Sequence, residues 1–270
     1  MTRRVSHGLV AAAVTSVAFW CAGTAKLAAQ APANASAKNG VPRTADGHPD
    51  LSGVWWRGAD VGGKAAPGTP AAAGGVTGGT RGPTFPSLYN PAAQAKAKTL
   101  SDKDDPTLLC QPTAFGTLNV RMFDVGAVAQ IVQTPKFVVM LAETFHGYQI
   151  IPTDGRPHRD DQPPSFRGDA IGHWEGDTLV VDTNNFTDNT WMSAEGRVSF
   201  HSDALHIIER YTRTNANTLE IEATVEDPKV LTKPWIVPKQ TLVLAPFDQI
   251  LNLDCYTASN EDQEEAAAKK

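Results

Sequence analysis

Cysteine is scarce in this 270-residue chain, occurring only as Cys21, Cys110 and Cys255. That scarcity excludes a disulfide-dense miniature scaffold and a Cys-rich zinc module. Beyond the first thirty residues, no apolar run reaches the roughly 20 residues a helix needs to span a bilayer. Basic residues are outnumbered, 24 Lys and Arg against 29 Asp and Glu, for a net charge of −5, and they form no stripe. Nucleic-acid binding therefore has no electrostatic support. Also missing are a GxSxG elbow, a phosphate-binding P-loop, a dinucleotide glycine fingerprint and a haem-attachment motif. Their absence argues against serine-hydrolase, kinase and nicotinamide chemistry.

What stands at the N-terminus reads as an export signal over residues 1–30. Arg3 and Arg4 give it a positive start, an apolar run follows from Leu9 to Cys21, and small residues continue to Ala31. The tandem arginines hint at a twin-arginine route. Phe19 and Trp20 are too bulky before Cys21 for a lipoprotein anchor. The expectation is a periplasmic or secreted protein with no stable membrane insertion. Two cysteines then remain, and in an oxidising compartment Cys110 and Cys255 are expected to form a disulfide. It would close a loop of roughly 145 residues, for which chain entropy gives about 4–5 kcal/mol.

Composition divides the rest. Residues 31–108 are rich in Ala, Gly and Pro, and the run Gly62–Pro83 has too little apolar surface to order itself. This stretch is expected to be a mostly flexible extension. Within it, His48–Trp56 forms a short anchor whose Leu51, Val54, Trp55 and Trp56 can dock as a first strand, and a short helix is expected before Asp105–Pro106. From 109 to 258 strand signals recur. Val128–Thr134, Phe137–Thr144 and Gly147–Thr153 are β-branched runs broken by Pro135 and by the turn Asp154–Gly155. Ile171–Trp174 and Thr178–Thr183 read as one hairpin, and Leu205–Arg213 and Leu219–Glu226 as another. Val230–Val237, Gln240–Ala245 and Leu251–Cys255 follow. In the second hairpin Leu219, Ile221, Ala223 and Val225 alternate with Glu220, Glu222, Thr224 and Glu226, so one face is buried and the other wet. Eight or more short strands with little helix predict a mainly β fold. An antiparallel meander of this kind loses its free edges by closing into a lipocalin-like barrel. Residues 259–270 form a charged tail.

Several blocks, in order, resemble a widespread family of uncharacterised secreted bacterial proteins. They are TADGHPDLSGVW, QIVQTPKFVVML, IPTDGRPH, WEGDTLVVDT (Trp174–Thr183), HSDALHIIERYTR (His201–Arg213), EDPKVLTKPW (Glu226–Trp235) and the late Leu251-x-x-x-Cys255. The resemblance covers nearly all of the chain outside the signal and the Gly/Ala linker. It implies export and no particular activity. Some relatives carry Arg in place of His173, which speaks against a catalytic role there.

Candidate chemistry centres on histidine and carboxylate. His201 and His206 flank Asp203 at the start of a strand, and imidazole titrates near neutral pH, where it can exchange protons with a carboxylate. In that strand His206, Ile208 and Arg210 share one face while Ile207, Glu209 and Tyr211 share the other, so Glu209 joins His206 only through a bulge. Asp182 lies on a mixed face with Val180 and Asn184. An inward carboxylate there would have a raised pKa and could act as a base. Catalytic candidates are thus His201, His206, Asp182 and Glu209. Arg210 and Lys233 would hold an oxyanion, and Trp191 and Trp235 would stack on a ring. The Pro-rich loop Arg156–Asp169, with His158, Asp160 and Asp161, could form a lid. His201 and His206 with a carboxylate could hold a divalent metal, but the spacing matches no ligand motif, so no metal or cofactor is expected. These residue types fit a protein that binds a small aromatic or sugar-like molecule and acts on it as a cofactor-independent lyase, isomerase or hydrolase. The same residues would line the pocket of a non-catalytic carrier, and the long extension would suit an envelope interaction protein.

Overall fold

Alternation of buried and less buried side chains organises the long strands His206–Asn215 and Thr218–Glu226. The computed structural model describes residues 40–58, 83–114, 128–143, 145, 147–192 and 198–252, all within one compact unit. The expected export signal, most of the Gly/Ala/Pro run, Cys255 and the charged tail lie outside the described residues. Nine strands occur among those described: β1 (Gly53–Trp56), β2 (Ala129–Gln133), β3 (Phe137–Ala142), β4 (Tyr148–Pro152), β5 (Asp169–Glu175), β6 (Thr178–Asn184), β7 (His206–Asn215), β8 (Thr218–Glu226) and β9 (Trp235–Leu244). In β8 Leu219, Ile221, Ala223 and Val225 are buried, as their period of two requires.

The strands form a single antiparallel sheet in the order β4-β3-β2-β1-β9-β8-β7-β6-β5. Each pairs with its sequence neighbour, except that β1 bridges β2 and β9. The N-terminal anchor around Trp55 therefore joins the two ends of the meander. β4 and β5 stand at the ends of the hydrogen-bonded order and face each other, which leaves the barrel nearly closed. Gly172 permits that approach: a Cβ there would stand 2.9 Å from Ile151 Cγ2 and 3.2 Å from Thr153 Cγ2. The expected lipocalin-like meander is the architecture observed.

Two apolar clusters form the core. One gathers Leu51, Trp55, Ile131, Met140, Leu179 and Tyr211. The other packs Ile207, Val225 and Trp235 against Phe85, Leu88 and Tyr89 from the N-terminal segment. Burying each such side chain is worth about 1.5–3 kcal/mol. The segment that supplies Phe85 is held by α1 (Pro91–Ala97), with Pro91 in its first turn and the Asn90 side chain accepting from Ala93 N at 2.9 Å. More of the N-terminal extension is thus built into the barrel than its composition suggests. Cys110 ends a 3-10 turn in left-handed backbone and is disulfide-bonded. Its expected partner, Cys255, falls outside the described residues.

The strands expected at 230–237 and 240–245 meet in one strand, β9, which starts only at Trp235. Pro238 cannot donate to a ladder, which is why the sequence looks broken there. The register against β8 shifts between Ile221 and Ala223, opposite Gln240 and Val237, so a bulge accommodates the proline. The strand expected over 251–255 lies largely beyond the described residues.

Gly168, just before β5, has φ +69°, and a Cβ there would run into the Asn184 carbonyl oxygen. Gly168→Ala is expected to cost about 1–3 kcal/mol from the left-handed backbone, with further loss from the clash. Urea denaturation checks this; an unchanged midpoint would mean that the turn is not held as described.

Candidate active site

On the outer face of β6–β8, three adjacent strands bring a histidine and two carboxylates together. His206 and Glu226 are direct cross-strand partners, and Asp182 sits one diagonal step away, since it pairs with Ile208. Side chains at such positions are within reach of one another. His206 Nε2 lies 2.9 Å from Asp182 Oδ1, and its Nδ1 lies 3.3 Å from Glu226 Oε2. With both ring nitrogens on carboxylate oxygens, His206 is set up as an imidazolium. Partial burial works against the charge, but the hydrogen bonds and charges of Asp182 and Glu226 outweigh it and raise its pKa.

The loop between β4 and β5 completes the cluster from above. His158 places Nε2 3.1 Å from the same Asp182 oxygen and Nδ1 3.0 Å from Asp169 Oδ2. Asp169 is almost fully buried. Burial alone would raise its pKa, yet the Arg159 backbone N–H, the Arg159 guanidinium and His158 together hold it below the ordinary value. Arg159 Nε and Nη2 donate to Asp169 Oδ1 at 2.9 and 2.8 Å. The result is a continuous chain, Asp169–His158–Asp182–His206–Glu226, buried at Asp169 and half-exposed from Asp182 to Glu226.

A groove of about 530 Å³ runs over the outer face of β7–β9, lined by Ile208, Arg210, Glu222, Thr224, Ile236 and Pro238 among others. Ile208 and Thr224 are the next outward residues after His206 and before Glu226, so the groove begins one step from the histidine. Ile236 is 64% exposed there. Arg210 is anchored by Glu175 through a 2.7 Å contact.

The other sequence candidates fall elsewhere. Glu209 points into the barrel, 2% exposed, and accepts the Tyr211 hydroxyl at 2.9 Å. No bulge occurs at that point of β7, so it cannot meet His206. His201 is buried apart from the cluster. Its Nδ1 donates to the Ser202 carbonyl at 2.9 Å, leaving Nε2 to accept from Thr190 Oγ1 at 2.7 Å. Burial pushes its pKa down despite the Ser202 hydrogen bond, so the ring is a neutral structural bracket. Trp191 and Trp235 belong to the apolar core, with Trp235 Nε1 donating to the Pro83 carbonyl at 2.8 Å. Lys233 is exposed.

From sequence alone His158 has only a lid role, and Asp169, Arg159 and Glu226 have no role in a site. Glu226 was findable, because alternation puts it on the face of His206's partner. The other two come from an aperiodic loop and a strand end, where no pattern fixes direction. Among the described residues, no group of three or more His, Cys, Asp or Glu is arranged to hold a metal ion, and no helix is long and apolar enough to cross a membrane. No protein-family model matches the chain, and comparison with curated proteins and with solved structures returns no significant match.

Proposed function

We propose that this is an exported protein that binds a small aromatic or sugar-like molecule in the outer groove and acts on it by proton transfer at His206. The reading rests on one observation: an imidazole held between two carboxylates stands one outward residue along β7 from a groove with an isoleucine floor and a charged rim. Such a groove suits a flat ring with polar substituents. His206 would give or take the proton, Asp182 would orient the ring and balance its charge, and Arg210 would hold a developing oxyanion. His158, through Asp182 and Asp169, ties the loop over the reacting end. Lyase, isomerase or hydrolase steps all fit this set of groups. A carrier with a deep apolar lumen is less well supported, because Trp55, Tyr211 and their neighbours pack together as an apolar core.

A thermal-shift screen with aromatic and sugar-derived compounds tests the binding step. A true ligand at about 100 times its Kd stabilises the fold by about 2.7 kcal/mol. That shift is expected to vanish in Ile236→Arg, which fills the groove from an exposed position. A shift that persists in the variant would place the ligand elsewhere, and the proposal would fail.

A further inference from the structure

The wall that carries His206 outside carries a second polar group inside. Glu209 and Tyr211 point inward from β7. Thr183, buried on β6, lies two residues beyond Val181, the ladder partner of Glu209. Gln149 faces inward from β4 and donates Nε2 to the Arg167 carbonyl at 3.3 Å, bridging the seam where β4 and β5 share no ladder. Gly168, the next residue, packs its backbone against Thr183. The Arg167 guanidinium is buried close enough to Glu209 for their charges to interact, yet the two form no ion pair.

Four buried atoms of this group have no hydrogen-bond partner within the described residues of the protein: Arg167 Nε and Nη1, Gln149 Oε1 and Thr183 Oγ1. Each such atom costs about 1–3 kcal/mol in an interior, and native proteins rarely leave several together. Their chemistry is specific. Arg167 offers two donors with a positive charge, Gln149 offers an acceptor, and Thr183 can do either. A guest that satisfies all of them has an anionic oxygen pair and, beside it, a hydroxyl.

We infer that this cluster is a binding site for a small hydroxycarboxylate, reached through the β4–β5 seam. The carboxylate takes the Arg167 donors. The guest's hydroxyl donates to Gln149 Oε1 and accepts from Thr183 Oγ1. The guest's carbon chain would lie against Ala170, Val181 and Ile207, the inward neighbours on β5, β6 and β7, which favours a short one. Burial of Glu209, which raises its carboxyl to about 7 against the Tyr211 hydrogen bond and the Arg167 charge, suits an anionic guest, since the carboxyl stays largely protonated in mildly acidic solution. This site is independent of the outer groove, because its residues face the opposite side of the sheet.

Isothermal titration with glycolate and acetate, which differ only by the hydroxyl, tests the inference. Glycolate is expected to bind the full-length protein at least about tenfold more tightly than acetate, because a site with polar partners for a hydroxyl rejects the analogue lacking it. Arg167→Gln should abolish binding of both. Thr183→Val, nearly isosteric and compatible with a strand, should bring glycolate down to the acetate level and decides the matter even if Arg167→Gln does not fold. Equal binding of the two anions, or no binding of glycolate at tens of millimolar, would overturn the proposal. So would glycolate binding that survives Thr183→Val unchanged.

Discussion

Glu209→Gln is expected to remove a pH-dependent loss of stability of about 3 kcal/mol. Burial raises the Glu209 carboxyl from 4.5 to about 7, overcoming the opposing hydrogen bond from Tyr211 and the charge of Arg167. The folded protein therefore retains a proton that the unfolded chain has already released. Its contribution to stability is complete below pH 4.5 and is lost as pH rises through about 7. One unit of pKa is worth about 1.4 kcal/mol, so the loss comes to about 3 kcal/mol. Glutamine keeps the shape and an acceptor for the Tyr211 hydroxyl but has nothing to ionise. The two proteins differ by a constant offset at low pH, and the difference then moves in favour of the variant across that window. Urea denaturation from pH 4.5 to 8.5 reads this directly. Parallel stability profiles would mean that Glu209 does not ionise in a buried setting.

His206→Ala is expected to lower turnover of a substrate found by the groove screen by about 10²–10⁴-fold, the usual worth of a positioned acid or base. Binding should change little, because His206 stands one outward residue beyond Ile208 and does not line the groove. Asp182→Asn should fall in the same range or somewhat less, since the amide can still orient the ring but cannot balance its charge. His201→Ala removes a buried bracket between Thr190 and Ser202, so its effect belongs to stability and not to the reacting groups. Steady-state kinetics on the three variants separate these roles. If His206→Ala kept wild-type turnover, proton transfer at this site would be excluded.

The extent to which these features could be read from the chain differs between fold and site. The alternation of Leu219, Ile221, Ala223 and Val225 with glutamates and a threonine is strong enough to specify a barrel wall, and both central hairpins lie where their turn residues put them. The same alternation separates His206 from Glu209 correctly. It does not say which of the two faces the interior. Each face of β7 is mixed, one carrying His206, Ile208 and Arg210 and the other Ile207, Glu209, Tyr211 and Arg213, so composition cannot decide. The sheet decides, because β8 pairs with β7 and its glutamates must stay wet. The meeting of His158 with Asp182 was hidden for another reason. It depends on the path of an aperiodic loop, and no spacing rule encodes such a path. Trp191 and Trp235 misled in a third way: aromatic rings serve binding and packing alike, and here packing takes both.

The arrangement at the centre of the site can be tested without any substrate. A histidine-selective NMR titration should show His206 with a midpoint above the ordinary 6.5, falling back towards it when Asp182 is replaced by asparagine. A His206 midpoint at or below 6.5, indifferent to the residue at 182, would contradict the account.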